Sequence, residues 1–198
     1  MTLEGELKMK LAIDGQPTGL TIPDDYVEVA HDRRIRNGEP VRVERLQSQS
    51  KITPENEHLT LVWGSDERLI SYNLSAGDAA GVLPSGTEAR RIAQNIFAQI
   101  DPEYELGLDF MRVDRQVRSY RKNNQTIQIP IQWVKFGHRN GTYNWVSVGP
   151  DGRIIELERE SEWDYLGGRR ATEMWNYDDW VLAREGQGPQ LAAPNALA

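Results

Sequence analysis

The clearest periodicity in the chain lies at residues 85–102, SGTEARRIAQNIFAQIDP, where Ala89, Ile92, Ala93, Ile96, Phe97 and Ile100 recur at a 3.6-residue spacing. That spacing gathers them on one stripe of an α-helix, with Arg90, Arg91, Gln94 and Gln99 mostly on the other side. Ser85 followed by Glu88 makes a capping box at its start, and Asp101-Pro102 stops it. Elsewhere the dominant period is two. LKMKLAI (7–13) sets Leu7, Met9, Leu11 and Ile13 against Lys8 and Lys10; Asp14-Gly15 can turn and TGLTI (18–22) return. VRVERL (41–46), HLTLVW (58–63) and LISYN (69–73) alternate in the same way, the last two joined by a turn at GSDER. PDDYVEVAHDRRIRNGEP (23–40) and SQSKITPENE (48–57) are polar and rich in turn formers, and read as loops.

After the helix the pattern is again that of strands. YELGLDFMRV (104–113) runs on through DRQVRSYR (114–121). NQTIQIPIQWVKF (124–136) puts Ile127, Ile129, Ile131 and Trp133 on one face, with Pro130 calling for an edge position or a bulge. Asn140-Gly141 is a hairpin signal, TYNWVSV the next strand, Pro150-Asp151-Gly152 a turn, and RIIELERE the return. In TEMWNYDDWVLARE (172–185) Trp175 and Tyr177 would share one strand face, and a hairpin turning at Asp178-Asp179 is preferred to a helix ending at Gly186 because Trp, Asn and Tyr are poor helix formers. The resulting expectation is an α+β protein, mainly antiparallel β-sheet. One long amphipathic helix packs on a four-stranded meander, preceded by a β-rich N-terminal part. The small-residue stretch SAGDAAGVLPSG divides the chain: 1–75 a β-rich subdomain, 76–86 a linker, 87–186 helix plus sheet, 187–198 a flexible tail.

TEARRIAQNIFAQIDPEYEL, together with YNWVSVGPDGRIIELE, resembles the PepSY and YcdB-type propeptide domains, and HLTLVWGSDERLISYN resembles a second copy of their closing hairpin. The resemblance spans about residues 85–160 and implies a cystatin-like helix-on-sheet fold. It also implies a propeptide or binding module at a cell surface rather than an enzyme.

Composition narrows the function classes. There is no cysteine among the 198 residues, which excludes disulfides, thiolate metal sites and cysteine nucleophiles. A net charge of −7 argues against a phosphate-tracking nucleic-acid binder. No apolar run is long enough to span a bilayer, and MTLEGELKMKL has no leader pattern. The expected location is therefore cytoplasmic if Met1 is the native start, and extracellular if a leader was removed. No HExxH, Walker loop, GxGxxG or GxSxG occurs, so no metal and no cofactor is expected. Glu156 and Glu158 alternate with Ile155 and Leu157, the pattern of a wetted strand face.

The unusual component is tryptophan, six in all. Tyr143, Trp145, Trp175, Tyr177 and Trp180, with His138 beside the Asn-Gly turn, are the candidate ligand-binding residues, since flat aromatic faces on strands can hold a sugar or a peptide. The competing explanation is that these rings fill a core. The functional expectation is a non-catalytic interaction module using a sheet face or edge strand, its partner a protein, a peptide or a small molecule. A saccharide or small-molecule site lined by Trp and Tyr is the alternative, and a carboxylate-dependent hydrolase the third reading.

Overall fold

Where the period of two runs, strands form, and all but the first two long ones join a single sheet. A computed structural model describes residues 8–13 and 15–198. Leu7 and Asp14 of the first expected hairpin lie outside the described residues, but the hairpin is present as β1 (Lys8–Ile13) and β2 (Gln16–Pro23). Next come β3 (Val27–Arg36), β4 (Glu39–Gln47), β5 (His58–Trp63) and β6 (Leu69–Ser75). Helix α1 (Gly86–Ile100) and the single turn α2 (Pro102–Glu105) follow. The chain continues as β7 (Leu108–Lys122), β8 (Gln125–His138), β9 (Tyr143–Val148) and β10 (Ile154–Ser161). The antiparallel sheet has the order β3-β4-β5-β6-β10-β9-β8-β7.

This sheet corrects the expected long helix on a four-stranded meander. Strand makes up 49% of the described residues and helix 15%, the helices are short, and β7 to β10 belong to an eight-stranded sheet. The coarser expectation, an α+β fold rich in antiparallel sheet, holds. The cause is visible in β5 and β6, in which only Ser75 escapes burial. Strands covered on both faces cannot end a sheet without leaving ladder groups unpaired in an apolar setting. β10 fills the place beside β6, pairing Glu156 with Asn73, Leu157 with Tyr72 and Glu158 with Ser71. The sheet thus runs across the stretch 76–86.

Residues 23–40, expected to be a loop, contain β3. Their charges belong to an edge strand, with Val27 and Ile35 exposed. The overlooked signal was Asn37-Gly38, whose φ angles of 50° and 77° make the tight β3–β4 turn. Asn123 and Asn124, at φ 50° and 63°, do the same between β7 and β8. At the expected turn 140–141 only Gly141 has a positive φ, 90°. Pro130 sits where β8 has β7 alone beside it, because β9 pairs with β8 only from Gln132 onward. Its missing N–H can therefore cost at most one bond of the β7–β8 ladder.

One face of the sheet is apolar. Ala89, Ala93, Ile96 and Phe97 of α1 pack there with Leu61, Tyr72, Val134, Val146 and Leu157. The β1–β2 hairpin covers the same face beside the helix, adding Leu11, Leu20 and Ile22. Gly19 permits that approach: its N–H donates to Gln99 Oε1 at 3.0 Å, and a Cβ there would overlap Ile96 Cδ1. Only half of the capping box forms. Ser85 Oγ accepts from the Glu88 N–H at 3.2 Å, but the Glu88 carboxylate turns to Arg91 instead. At the other end, buried Arg159 of β10 donates to Asp101 Oδ2 at 2.7 Å and lies over the Tyr104 ring, fastening the helix end to the sheet.

The opposite face is covered by the C-terminal segment: β11 (Trp163–Asp164), β12 (Arg169–Arg170) and α3 (Asp178–Arg184). The hairpin expected at Asp178-Asp179 is corrected, since α3 begins there. Both carboxylates stand in its first turn, where the helix dipole favours negative charge. Within residues 187–198, Ala196 is fully buried against Met174 and Trp180. The outer hairpins bend over this face. The β3–β4 tip donates from Asn37 N–H to Glu173 (2.9 Å) and from Asn37 Nδ2 to Glu160 O (2.8 Å). The β7–β8 tip donates from Arg121 N–H to Glu55 O (2.6 Å).

Candidate functional site: a cationic aromatic cavity over two buried carboxylates

Because side chains alternate along a strand, Glu156 and Glu158 of β10 share the face opposite α1. They were expected on a wetted surface; instead each is 0% exposed. The C-terminal segment that buries them also supplies their partners. Glu156 Oε1 accepts from Trp145 Nε1 at 2.9 Å and from the Tyr177 hydroxyl. Its Oε2 accepts from Ser147 Oγ at 2.8 Å and from Arg118 Nη2 at 2.9 Å. Glu158 accepts from Arg36 (2.9 Å), from Asn176 (3.2 Å) and from Arg170. Burial alone would raise the Glu156 pKa; Arg118 and the Tyr177, Trp145 and Ser147 donors outweigh it and hold the carboxyl below its ordinary value. Burial first, then the Glu156 charge, drives the Tyr177 phenol well above its ordinary value, so it stays a donor. Every oxygen of both carboxylates is thus engaged by a donor of the protein.

Beside this network lies a cavity of about 490 Å³ between β7, β8 and β9 on one side and the C-terminal segment on the other. Trp133, Tyr143, Trp145, Trp163 and Tyr177 supply its aromatic surface. The charged side chains lining it are Arg112, Arg118, Lys135 and Arg170, and no carboxylate lines it. Rings and cations interleave: Lys135 Nζ stands 3.8 Å from the centre of Tyr143 and 5.7 Å from that of Trp133, and the Arg170 guanidinium 5.3 Å from Trp145. Trp133 and Trp145 are tilted neighbours at 5.8 Å. Burial, then the Arg112 charge, lowers the Lys135 pKa from its ordinary value.

The expected site residues divide. Tyr143, Trp145 and Tyr177 meet at this cavity. Trp145 is 8% exposed and hydrogen-bonds Glu156. Trp180 is a core side chain, fully buried edge-on to Trp175 with 4.8 Å between centres. Trp175 donates to Ile35 O at 2.8 Å and lies under Arg34, tying the β3 edge to the C-terminal segment. His138 stacks on Tyr104 with ring centres 4.2 Å apart, away from the cavity. The residues missed were Trp133, Trp163 and the four cations. Trp133 and Lys135 were within reach, two apart on a strand and so on one face; Arg118 and Arg170 come from elements that meet only in the fold.

Two other polar groupings lie outside the cavity lining. Buried His58 has Nδ1 2.7 Å from Asn56 O, no partner on Nε2, and Asp178 Oδ1 at 4.0 Å. Burial chiefly, with Arg45, lowers its pKa to about 4. Asp178 is itself clamped by Arg45 at 2.6 Å and by the Glu55 N–H at 2.6 Å, so this cluster pins the start of α3. Glu28, His31 and Glu44 bring ligand atoms within 4.8 Å of one another on the β3–β4 surface. Glu44 is already engaged there, by Arg42 at 2.8 Å and Trp63 Nε1 at 2.9 Å. Among the described residues no helix is long and apolar enough to cross a membrane. No family model matches the chain, and neither does any curated protein or solved structure.

Proposed function

We propose that this protein is a non-catalytic binding module whose ligand is a small ring-bearing organic molecule held in the cavity between β7–β9 and the C-terminal segment. The observation that carries this reading is the convergence of three tryptophans and two tyrosines on one open cavity of about 490 Å³. That volume lies in the ordinary range for small-molecule sites. Aromatic walls favour flat or pyranose rings through their large apolar faces. A binding role is also favoured by Glu156 and Glu158, whose oxygens are taken up by structural donors. Pairing through the β3 edge has less support, because charged side chains stud that strand and oppose strand addition.

Intrinsic tryptophan fluorescence, titrated with panels of aromatic acids, aromatic alcohols and sugars, tests the reading. At least one panel should shift the emission. Trp133→Ala should weaken that ligand tenfold or more, and Trp175→Phe should leave it unchanged. A silent response to every panel, or one indifferent to Trp133→Ala, would overturn it.

A further inference from the structure

We infer that the ligand of this cavity is an organic anion: a flat or pyranose ring carrying one oxyanion, carboxylate or phosphate, received by Lys135 and Arg170. This inference rests on the binding reading above and specifies its ligand.

The first support is the charge balance. The protein carries a net charge of −7, yet the charged residues lining this cavity are all cations. Part of that charge is internally compensated. Arg118 spends Nε and Nη2 on Glu156 and Nη1 on Gln116. Arg112 faces Asp114 at 2.6 Å. Glu158, however, is shared by Arg36 and Arg170, two cations on one carboxylate. Lys135 has ring faces on two sides and no ion pair within 4 Å among the described residues, Asp114 acting on it only from farther off. Of the four cations lining the cavity, Arg112, Arg118 and Arg170 each meet a carboxylate and Lys135 forms no ion pair, a local surplus of positive charge on an acidic protein. In a cavity walled by low-dielectric rings, such a surplus focuses the field on an entering anion.

The second support is independent. Arg170 is 6% exposed, and although its Nη2 is used on Glu158, its Nε is buried without a partner. A buried guanidinium N–H left unpaired costs free energy, which an acceptor drawn against Arg170 would recover. Guanidinium groups suit carboxylate and phosphate oxygens by geometry, and an ammonium adds a movable point charge. The surrounding rings supply the rest: an anion on a ring can place its oxygens between Lys135 and Arg170 while the ring lies along Trp133 and Trp145. A neutral sugar would leave the surplus charge unanswered.

Matched pairs separate this inference from the reading beneath it. Calorimetric titration of the full chain with benzoate and benzyl alcohol, phenyl phosphate and phenol, and glucuronate and glucose also tells the three sources of oxyanion apart. At least one acid should bind tenfold or more tighter than its neutral partner, and raising the salt concentration should weaken it. Lys135→Met, at a half-buried position without an ion pair, should keep the melting temperature. It should erase most of the preference for the acid over its neutral partner. Equal or tighter binding of the neutral members would overturn the anion inference and leave the binding reading intact. Failure of all six compounds to bind would overturn both.

Discussion

At the scale of single residues, the chain concentrates its polar investment in Glu156 and Glu158. A buried carboxylate left without its cation is expensive, whereas replacing both partners with apolar groups is often nearly neutral. Glu156→Gln should therefore lower the unfolding free energy by about 3 kcal/mol. In urea denaturation the double variant Glu156→Leu/Arg118→Met should recover only the part of that loss owed to the unpaired cation, since Trp145, Ser147 and Tyr177 still lose their acceptor. A single-variant loss below about 1 kcal/mol would mean that the network is not held as described. Two other groups set the response to acid. His58 has its folded pKa lowered from 6.5 to about 4. The unfolded chain therefore binds the proton first, so stability is full above pH 6.5 and declines as pH falls toward 4. His58→Gln should flatten that decline. Glu39, whose pKa the Arg68 contact lowers from 4.5 to about 2, adds a separate loss between those values. A melting curve flat from pH 7 to 4.5 in the unaltered protein would contradict the His58 assignment.

At the scale of elements, the tight turns decide how the outer hairpins bend. Asn37 holds a positive φ of 50° while its side chain donates to Glu160 O at 2.8 Å and accepts from Thr172 Oγ1 at 2.7 Å. It fixes the turn and also fastens the β3–β4 tip to the C-terminal segment. Asn37→Ala should cost about 2 kcal/mol, the sum of the backbone penalty and two lost hydrogen bonds. Amide exchange should speed up in β3 and β4 before β9 and β10; uniform acceleration would count against a local role for this tip. Helix α1 was legible from sequence because its stripe, cap and stop all lie within 18 adjacent residues. β3 was not, although Asn37-Gly38 marked its turn, because an edge strand stabilised by one neighbour carries little hydrophobic alternation of its own. α3 was misread for a related reason. Trp, Asn and Tyr are weak helix formers, and the start of the helix is set by Asp178 bonding to Arg45, 133 residues earlier.

At the scale of the whole molecule, the C-terminal segment both closes the second face and forms one wall of the cavity. Arg170 N–H donates to Pro194 O at 2.9 Å, and Ala196 is buried beside Trp180. Removing residues 190–198 should expose Trp180, shift its emission to the red and lower the melting temperature by several degrees, as expected for a loss of about 2 kcal/mol in a chain of this size. Unchanged emission and melting would show that those residues contribute nothing to the face.

What the sequence determined by itself is local. The 3.6-residue stripe gave α1, and alternation gave the strands of the second half. It also brought Tyr143, Trp145 and Tyr177 forward. The tertiary structure decided the rest. Alternation states that a strand has two faces, but not that both will be covered. It therefore marked Glu156 and Glu158 as wet, when a segment folding back from the chain's end buries them and supplies their donors. The strand order beside β6, the separation of Trp175 and Trp180 from the cavity, and the meeting of Lys135 with Arg170 have the same origin. Each depends on residues far apart in the chain, and no periodicity within one segment records which distant segment will lie against it.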